Sequence, residues 1–175
     1  MSFLSLEEKM ARPSFNNAWQ VFRQINVPVQ QVGEIIGGKV KQNINIPGDQ
    51  GGFENACPIR MSYVLNKTGH PIARSSGYST VSGEDGKWYI FRVRDMRSYL
   101  QSVFGKPDKK VMGTPTPSDF SGMKGILVVQ GSGWDDAGGH VTLWDGTSCS
   151  DSCHLANDPD NGSFIPGEAN LWALP

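Results

Sequence analysis

Along the first third of the chain, apolar residues recur at the spacing of amphipathic helices. Phe15, Trp19, Phe22 and Ile25 fall near a 3.6-residue period, and Ser14 stands where an N-cap belongs, so 14–25 is predicted helical. Val32, Ile35, Ile36, Val40 and Ile44 continue the pattern over 29–44, interrupted by Gly37-Gly38, which either ends one helix or joins two. A glycine-rich loop follows at 46–56. From Cys57, the segment CPIRMSYVLNKTG places Ile59, Met61, Val64 and Leu65 on one buried helix face, with Pro58 in the first turn and Gly69 closing the end. Cys57 therefore sits at the mouth of a helix, directly after a glycine loop.

The period then changes. Residues 72–87 read as a Ser/Gly-rich loop, WYIFRV (88–93) as a strand, and 94–105 as a short helix ending in Gly105. The stretch 106–125, with its prolines and glycines, reads as a loop. ILVVQ (126–130) is a buried strand, 131–139 a turn, HVTLWDG (140–146) a second strand, and NLWALP a third. Helices come first and strands last, which is the α+β pattern. With no internal repeat and no low-complexity linker, residues 1–175 are expected to form one catalytic domain.

Composition narrows the function classes. Five Trp, eight Phe and four Tyr need burial, which argues for a packed core and against disorder. Sixteen basic residues balance seventeen acidic ones, and no dense basic run exists, so no nucleic acid and no membrane surface is indicated as a partner. No apolar run approaches the roughly 18 residues that a membrane span needs. The N-terminus MSFLSLEEKMARPSF carries two Glu and lacks an apolar stretch, so a Sec-type signal peptide is not expected.

The three cysteines are an odd number. Cys149 and Cys153 lie four apart, and Cys57 stands alone, which raises the question of a reactive thiol. A helix N-terminus favours a thiolate, because unpaired N–H groups and the macrodipole point at it. The Cys57 N–H is a candidate oxyanion donor, with the side chain of Asn55 or Gln50 as a possible second. The bland alternative is a buried core cysteine.

Of the histidines, His140 opens a strand after Gly138-Gly139, where small residues leave space for a substrate backbone. Gly131, Gly133, Gly138 and Gly139 are expected to shape a cleft wall. His70 follows a helix exit, and a surface role suits it. Strand alternation puts His140, Thr142 and Trp144 on one face and Val141 and Leu143 on the other. Asp145, about 16 Å along the strand and on the wrong face, is a poor partner for His140. A tight hairpin turn at Asp145-Gly146 would instead set Asp151 opposite His140. That register holds only if 149–153 runs straight, in which case about 13 Å separates Cys149 from Cys153 and they cannot be bridged. If they pair, the segment is a tight turn with Asp151 at its apex. Left to themselves, His140 is as readily a polar residue on a sheet edge and Asp151 a solvated loop acid. Cys149, Asp151, Cys153 and His154 have the right chemistry for zinc, but ligands so crowded rarely close a tetrahedron. Neither a metal nor another cofactor is implied.

The segments NACPIRMSYVLN, GHVTLWDG and CSDSCH resemble the fourth family of type VI secretion amidase effectors. The resemblance implies a papain-like fold of the NlpC/P60 type, with the Cys helix packed on an antiparallel sheet. It implies Cys57, His140 and Asp151 as the catalytic residues, and a disulfide between Cys149 and Cys153. It further implies injection by the type VI machinery into the periplasm of a target bacterium. The expected substrate is a peptidoglycan stem peptide, cut between D-glutamate and meso-diaminopimelate, and a cognate immunity protein is the expected inhibitor. Two rivals stand beside this reading: a cell-wall binding module without catalysis, and a thioester-forming acyltransferase of similar fold.

Overall fold

The computed structural model describes residues 12–47, 55–134 and 138–175. Among these, the helices are α1 (Phe15–Ile25), α2 (Val29–Ile36), α3 (Gly38–Ile44), α4 (Cys57–Lys67) and α5 (Val93–Phe104). Strands β1 (Thr80–Ser82) and β2 (Trp88–Ile90) form an antiparallel hairpin. Strands β3 (Lys109–Met112), β4 (Gly125–Ser132), β5 (Gly139–Trp144) and β6 (Ile165–Ala173) form an antiparallel sheet in the order β3-β6-β4-β5. The architecture is the α+β arrangement expected.

Ser14 caps α1 by accepting from the Asn17 N–H at 3.2 Å, as its hydroxyl chemistry predicts. The buried stripe of α1 runs through Phe15, Ala18, Phe22 and Ile25, while Trp19 stays partly exposed. The glycine pair joins two helices. Gly37 lies at φ +68, a conformation that costs a glycine little, and its N–H closes α2 on the Gly33 carbonyl at 2.8 Å.

Helix α4 is the central element, packed against α1, β2 and β5. It buries Ile59, Met61, Val64 and Leu65 as predicted, and also the polar Ser62 and Asn66. Those two are satisfied by the hairpin: Ser62 Oγ accepts from the Ile90 N–H at 2.9 Å, and Asn66 donates to the Trp88 carbonyl at 2.9 Å. A buried hydroxyl or amide without such partners costs about 1–3 kcal/mol, so these contacts fix how α4 sits on β2.

The four-stranded sheet has two apolar faces. Ile126, Val128, Val141, Leu143 and Trp172 enter the helical core, and Leu127, Val129, Trp144, Ala169 and Leu171 meet Phe120, Leu155 and Phe164 on the other side. The alternation is the period-two signature of strands. No helix among the described residues is long and apolar enough to cross a membrane.

Three expectations are corrected. The loops assigned to 72–87 and 106–125 contain β1 and β3. Both are short, and β3 is a largely exposed edge strand of sequence KKVM, so neither carries an apolar pattern. The strand at 88–93 ends at Ile90, because Val93 already belongs to α5. The C-terminal strand is longer than the NLWALP segment and begins at Ile165.

Candidate active site

The N-terminus of α4 packs beside β5, one of the two edge strands of the sheet. Cys57 is the first residue of α4, a free thiol only 1% exposed. Pro58 supplies no N–H, and Ala56 before it offers no side-chain cap. The Cys57 N–H itself donates to Asn55 Oδ1 at 3.1 Å. Asn55, the expected second oxyanion donor, turns its oxygen to that N–H and its Nδ2 to the Gly139 carbonyl at 3.5 Å. Gln50 lies outside the described residues.

His140 is the second residue of β5 and is 8% exposed. Gly139 before it is required by the sheet. A Cβ there would lie 2.1 Å from the Val129 carbonyl oxygen of β4, and at Gly131 and Gly133 an added carbon would meet the Ile165 and Ser163 carbonyls in the same way. Close approach of strands, rather than room for a substrate, explains these three glycines. Gly138 alone faces open space.

Both oxygens of Asp151 lie 3.1 Å from His140 Nε2. A carboxylate only accepts, so Nε2 carries the hydrogen and Nδ1 is the nitrogen left for Cys57. Thr142, on the same face of β5 as His140, donates to Asp151 Oδ1 at 2.5 Å. Its hydroxyl hydrogen being so used, the 3.1 Å contact between Thr142 and Ser150 has Ser150 as donor. The result is a chain from Ser150 through Thr142 and Asp151 to His140.

Of the two routes the sequence leaves open, Asp151 arrives by the turn that a Cys149–Cys153 pair closes and not by the straight hairpin register. Trp144 bridges Cys149, and the Asp145 N–H bonds to the Ser148 carbonyl at 2.9 Å, so Asp145–Ser148 is a wider loop than a two-residue turn. That register, two positions off, would set Asp151 opposite Thr142. The segment does not continue as a strand. A disulfide joins Cys149 and Cys153 with 5.4 Å between their Cα atoms, and the turn it closes carries Asp151 to the ring. Asp145 serves the loop: its carboxylate accepts from the N–H groups of Thr147 at 2.8 Å and Ser148 at 2.7 Å. Those bonds hold its pKa below the usual value.

Charge reinforces the arrangement. Burial pulls the His140 imidazole down, but the charges of Asp151 and Cys57, with hydrogen bonds to both, outweigh it and raise the pKa to about 10. Burial likewise works against the Asp151 carboxylate, yet His140, Thr142 and Arg60 together carry its pKa below the usual range. The site thus favours a protonated His140 beside an ionised Asp151.

Sequence reasoning missed three neighbours. Arg60, one turn on from Cys57, donates to the Val27 carbonyl at 2.7 Å and acts electrostatically on both Asp151 and Cys57. Its spacing from Cys57 was the available signal. Thr142 was legible only as a residue on the His140 face. His154 packs its ring against that of His140, with centroids 4.7 Å apart, and nothing local announces this. His70 stands at the far end of α4 and packs edge-on against Phe104, 5.4 Å away, rather than lying free on the surface. Among the described residues no group of three or more His, Cys, Asp or Glu is arranged to hold a metal ion.

Comparison with known proteins gives this geometry a context. Residues 53–172 match the family described as type VI secretion system (T6SS), amidase effector protein 4. No curated protein sequence matches the chain. Among solved structures, the effector Tae4 from Salmonella typhimurium, in complex with the immunity protein Tai4 from Enterobacter cloacae, is 60% identical, with a TM-score of 0.87 over 94% of this chain and 100% of that one. Tae4 in the effector–immunity complex from Enterobacter cloacae is 54% identical, with a TM-score of 0.87 over 94% and 99% of the two chains. A further structure of the type VI effector Tae4 from Enterobacter cloacae is 52% identical, with a TM-score of 0.84 over 95% and 99% of the two chains. With its helix-borne thiol, its strand-borne imidazole and a family match over most of its length, the chain belongs to the type VI secretion amidase effectors of family 4, a family of hydrolases.

Proposed function

We propose that the protein hydrolyses the amide between D-glutamate and meso-diaminopimelate in peptidoglycan stem peptides, with Cys57 as nucleophile, His140 as acid and base, and Asp151 as the group that orients His140. The observation that carries this reading is the pair of contacts on one imidazole: Asp151 holds Nε2 at 3.1 Å, and Nδ1 is left for Cys57. The Cys57 thiolate attacks the scissile carbonyl carbon and forms a C–S bond. The carbonyl oxygen, now negative, takes the Cys57 N–H in place of Asn55 Oδ1. As the C–N bond breaks, His140 gives its Nδ1 proton to the leaving amine. The thioester carries no charge on sulfur, so the Cys57 contribution that raises the His140 pKa is gone. The neutral ring is then suited to take a proton from the incoming water, and the thiolate leaves as the acid product forms.

The solved relatives are named as effector–immunity complexes. By that likeness, a cognate immunity protein blocks the Cys57–His140 cleft of this chain, and the type VI machinery delivers the protein to the periplasm of a target cell. Incubation with purified peptidoglycan fragments, followed by mass analysis, tests the chemistry. A cut at the D-glutamyl bond is expected, with none from Cys57→Ala. Intact bound stems would indicate a binding module, and a transferred acyl group an acyltransferase.

A further inference from the structure

His154 occupies a built position next to His140. Its backbone lies at φ +60, in the left-handed region that favours glycine and is tolerated by few other residues. Two contacts hold it there. Its N–H donates to Asp158 Oδ2 at 2.8 Å, and its Nδ1 lies 3.0 Å from Asn161 Oδ1. Asn161 is 7% exposed, and its Nδ2 is committed to the Leu155 carbonyl at 2.8 Å. Its oxygen must therefore face His154, which assigns the hydrogen to His154 Nδ1. On one side the His154 ring meets His140, with centroids 4.7 Å apart and planes at 77°. It also meets Trp134, at 4.8 Å and 84°, and Trp134 in turn stacks on Phe164 at 4.1 Å. The Trp134 N–H donates to the Asn161 carbonyl at 3.1 Å, so the same asparagine anchors both rings.

We propose that His154 is a positioning residue, whose ring packs edge-to-face on His140 and holds the imidazole between Asp151 and Cys57. Asp151 fixes one nitrogen of His140 but leaves the ring free to tilt about that contact. An aromatic neighbour at this distance and angle removes the tilt. Small misplacements of a reacting group are costly, on the order of a hundredfold in rate for about 1 Å, so a restraint of this kind matters to the chemistry. The ring also suits its neighbour electrostatically. Burial, and then the His140 charge, lower the His154 pKa, so a neutral π system rather than a second cation lies against the imidazolium.

Two substitutions separate the ring from its nitrogens. His154→Asn accepts the left-handed backbone and keeps a polar group, but removes the ring. His154→Phe keeps the ring and removes the nitrogens. The readouts are steady-state cleavage of soluble stem fragments and the pH profile of Cys57 alkylation by iodoacetamide. For His154→Asn, kcat is expected to fall roughly tenfold or more with KM within about twofold, and the acid limb of alkylation to move to higher pH. His154→Phe is expected to stay within about threefold of wild type, with an unchanged limb. A His154→Asn protein with wild-type kcat and alkylation profile overturns the proposal. So does an active His154→Asn beside a folded but inactive His154→Phe, since a nitrogen and not the ring would then matter. If His154→Phe fails to fold, the alkylation profile of His154→Asn decides alone. The inference rests on the Cys57–His140 reading above. Cleavage by Cys57→Ala would sink that reading, whereas wild-type behaviour of His154→Asn sinks only this one.

Discussion

The Asp151 carboxylate meets the His140 imidazole at 3.1 Å from within a turn that the Cys149–Cys153 disulfide closes. Thr142, two residues along β5 from His140, donates to the same carboxylate at 2.5 Å. The acid is thus held from two sides, by a covalent clip on its own segment and by a hydroxyl on the strand it serves.

If Asp151 orients His140, its removal should be felt in catalysis, and that of Asp145 should not. Asp151→Ala is expected to lower kcat by roughly a hundredfold or more. Asp145→Ala should stay within a few-fold of wild-type activity and lose about 1 kcal/mol of stability, as when a capping carboxylate is removed. Peptidoglycan-fragment cleavage and urea unfolding measure the two. Equal catalytic losses would disprove the assignment.

The disulfide should matter both to stability and to the placement of Asp151. Non-reduced, unfolded protein should titrate one thiol, and reduced protein three. Cys149→Ser is expected to cost about 2 kcal/mol or less, because the closed loop is short. Activity should fall as well, since the turn that carries Asp151 is released. Three free thiols in protein purified under oxidising conditions would argue against the bridge.

The raised pKa of His140 ties stability to pH. Its proton is bound more tightly in the folded state, where the pKa is about 10, than in the unfolded chain, where it is near 6.5. The contribution is therefore complete below about pH 6.5 and is lost as pH rises through about 10. The Asp151 shift acts in the opposite window: its contribution is present above the unfolded carboxyl value of 3.8 and lost as pH falls through the lower folded value. Urea midpoints of wild type and His140→Gln should converge between pH 6.5 and 10. A constant difference across that range would contradict the buried ion pair.

Physical access to the cell wall should decide toxicity. Made in the cytoplasm of a susceptible bacterium, the protein is expected to be nearly harmless. Fused to a periplasmic signal peptide it should lyse cells, while the Cys57→Ala form should not, and a periplasmic immunity partner should restore growth. Killing from the cytoplasm would overturn the cell-wall substrate.

Sequence alone sufficed wherever the deciding interactions are local. The Ser14 cap, the interruption at Gly37-Gly38 and the helix start at Cys57-Pro58 are set by backbone preferences within a few residues, so each was readable. The same holds for the alternation that puts His140 and Thr142 on one face of β5. The strands β1 and β3 were not readable, because three or four polar-leaning residues become a strand only when a partner supplies hydrogen bonds. The straight hairpin register that sets Asp151 opposite His140 is not used; the alternative, a tight turn closed by Cys149 and Cys153, brings it there with a hydroxyl from β5. Arg60 is marked only by its place one turn on from Cys57, and His154 carries no local mark of its contact with His140. Their relation to the site exists only because α4, β5 and the turn after it are packed together, and a contact between segments far apart in the chain is an outcome of that packing.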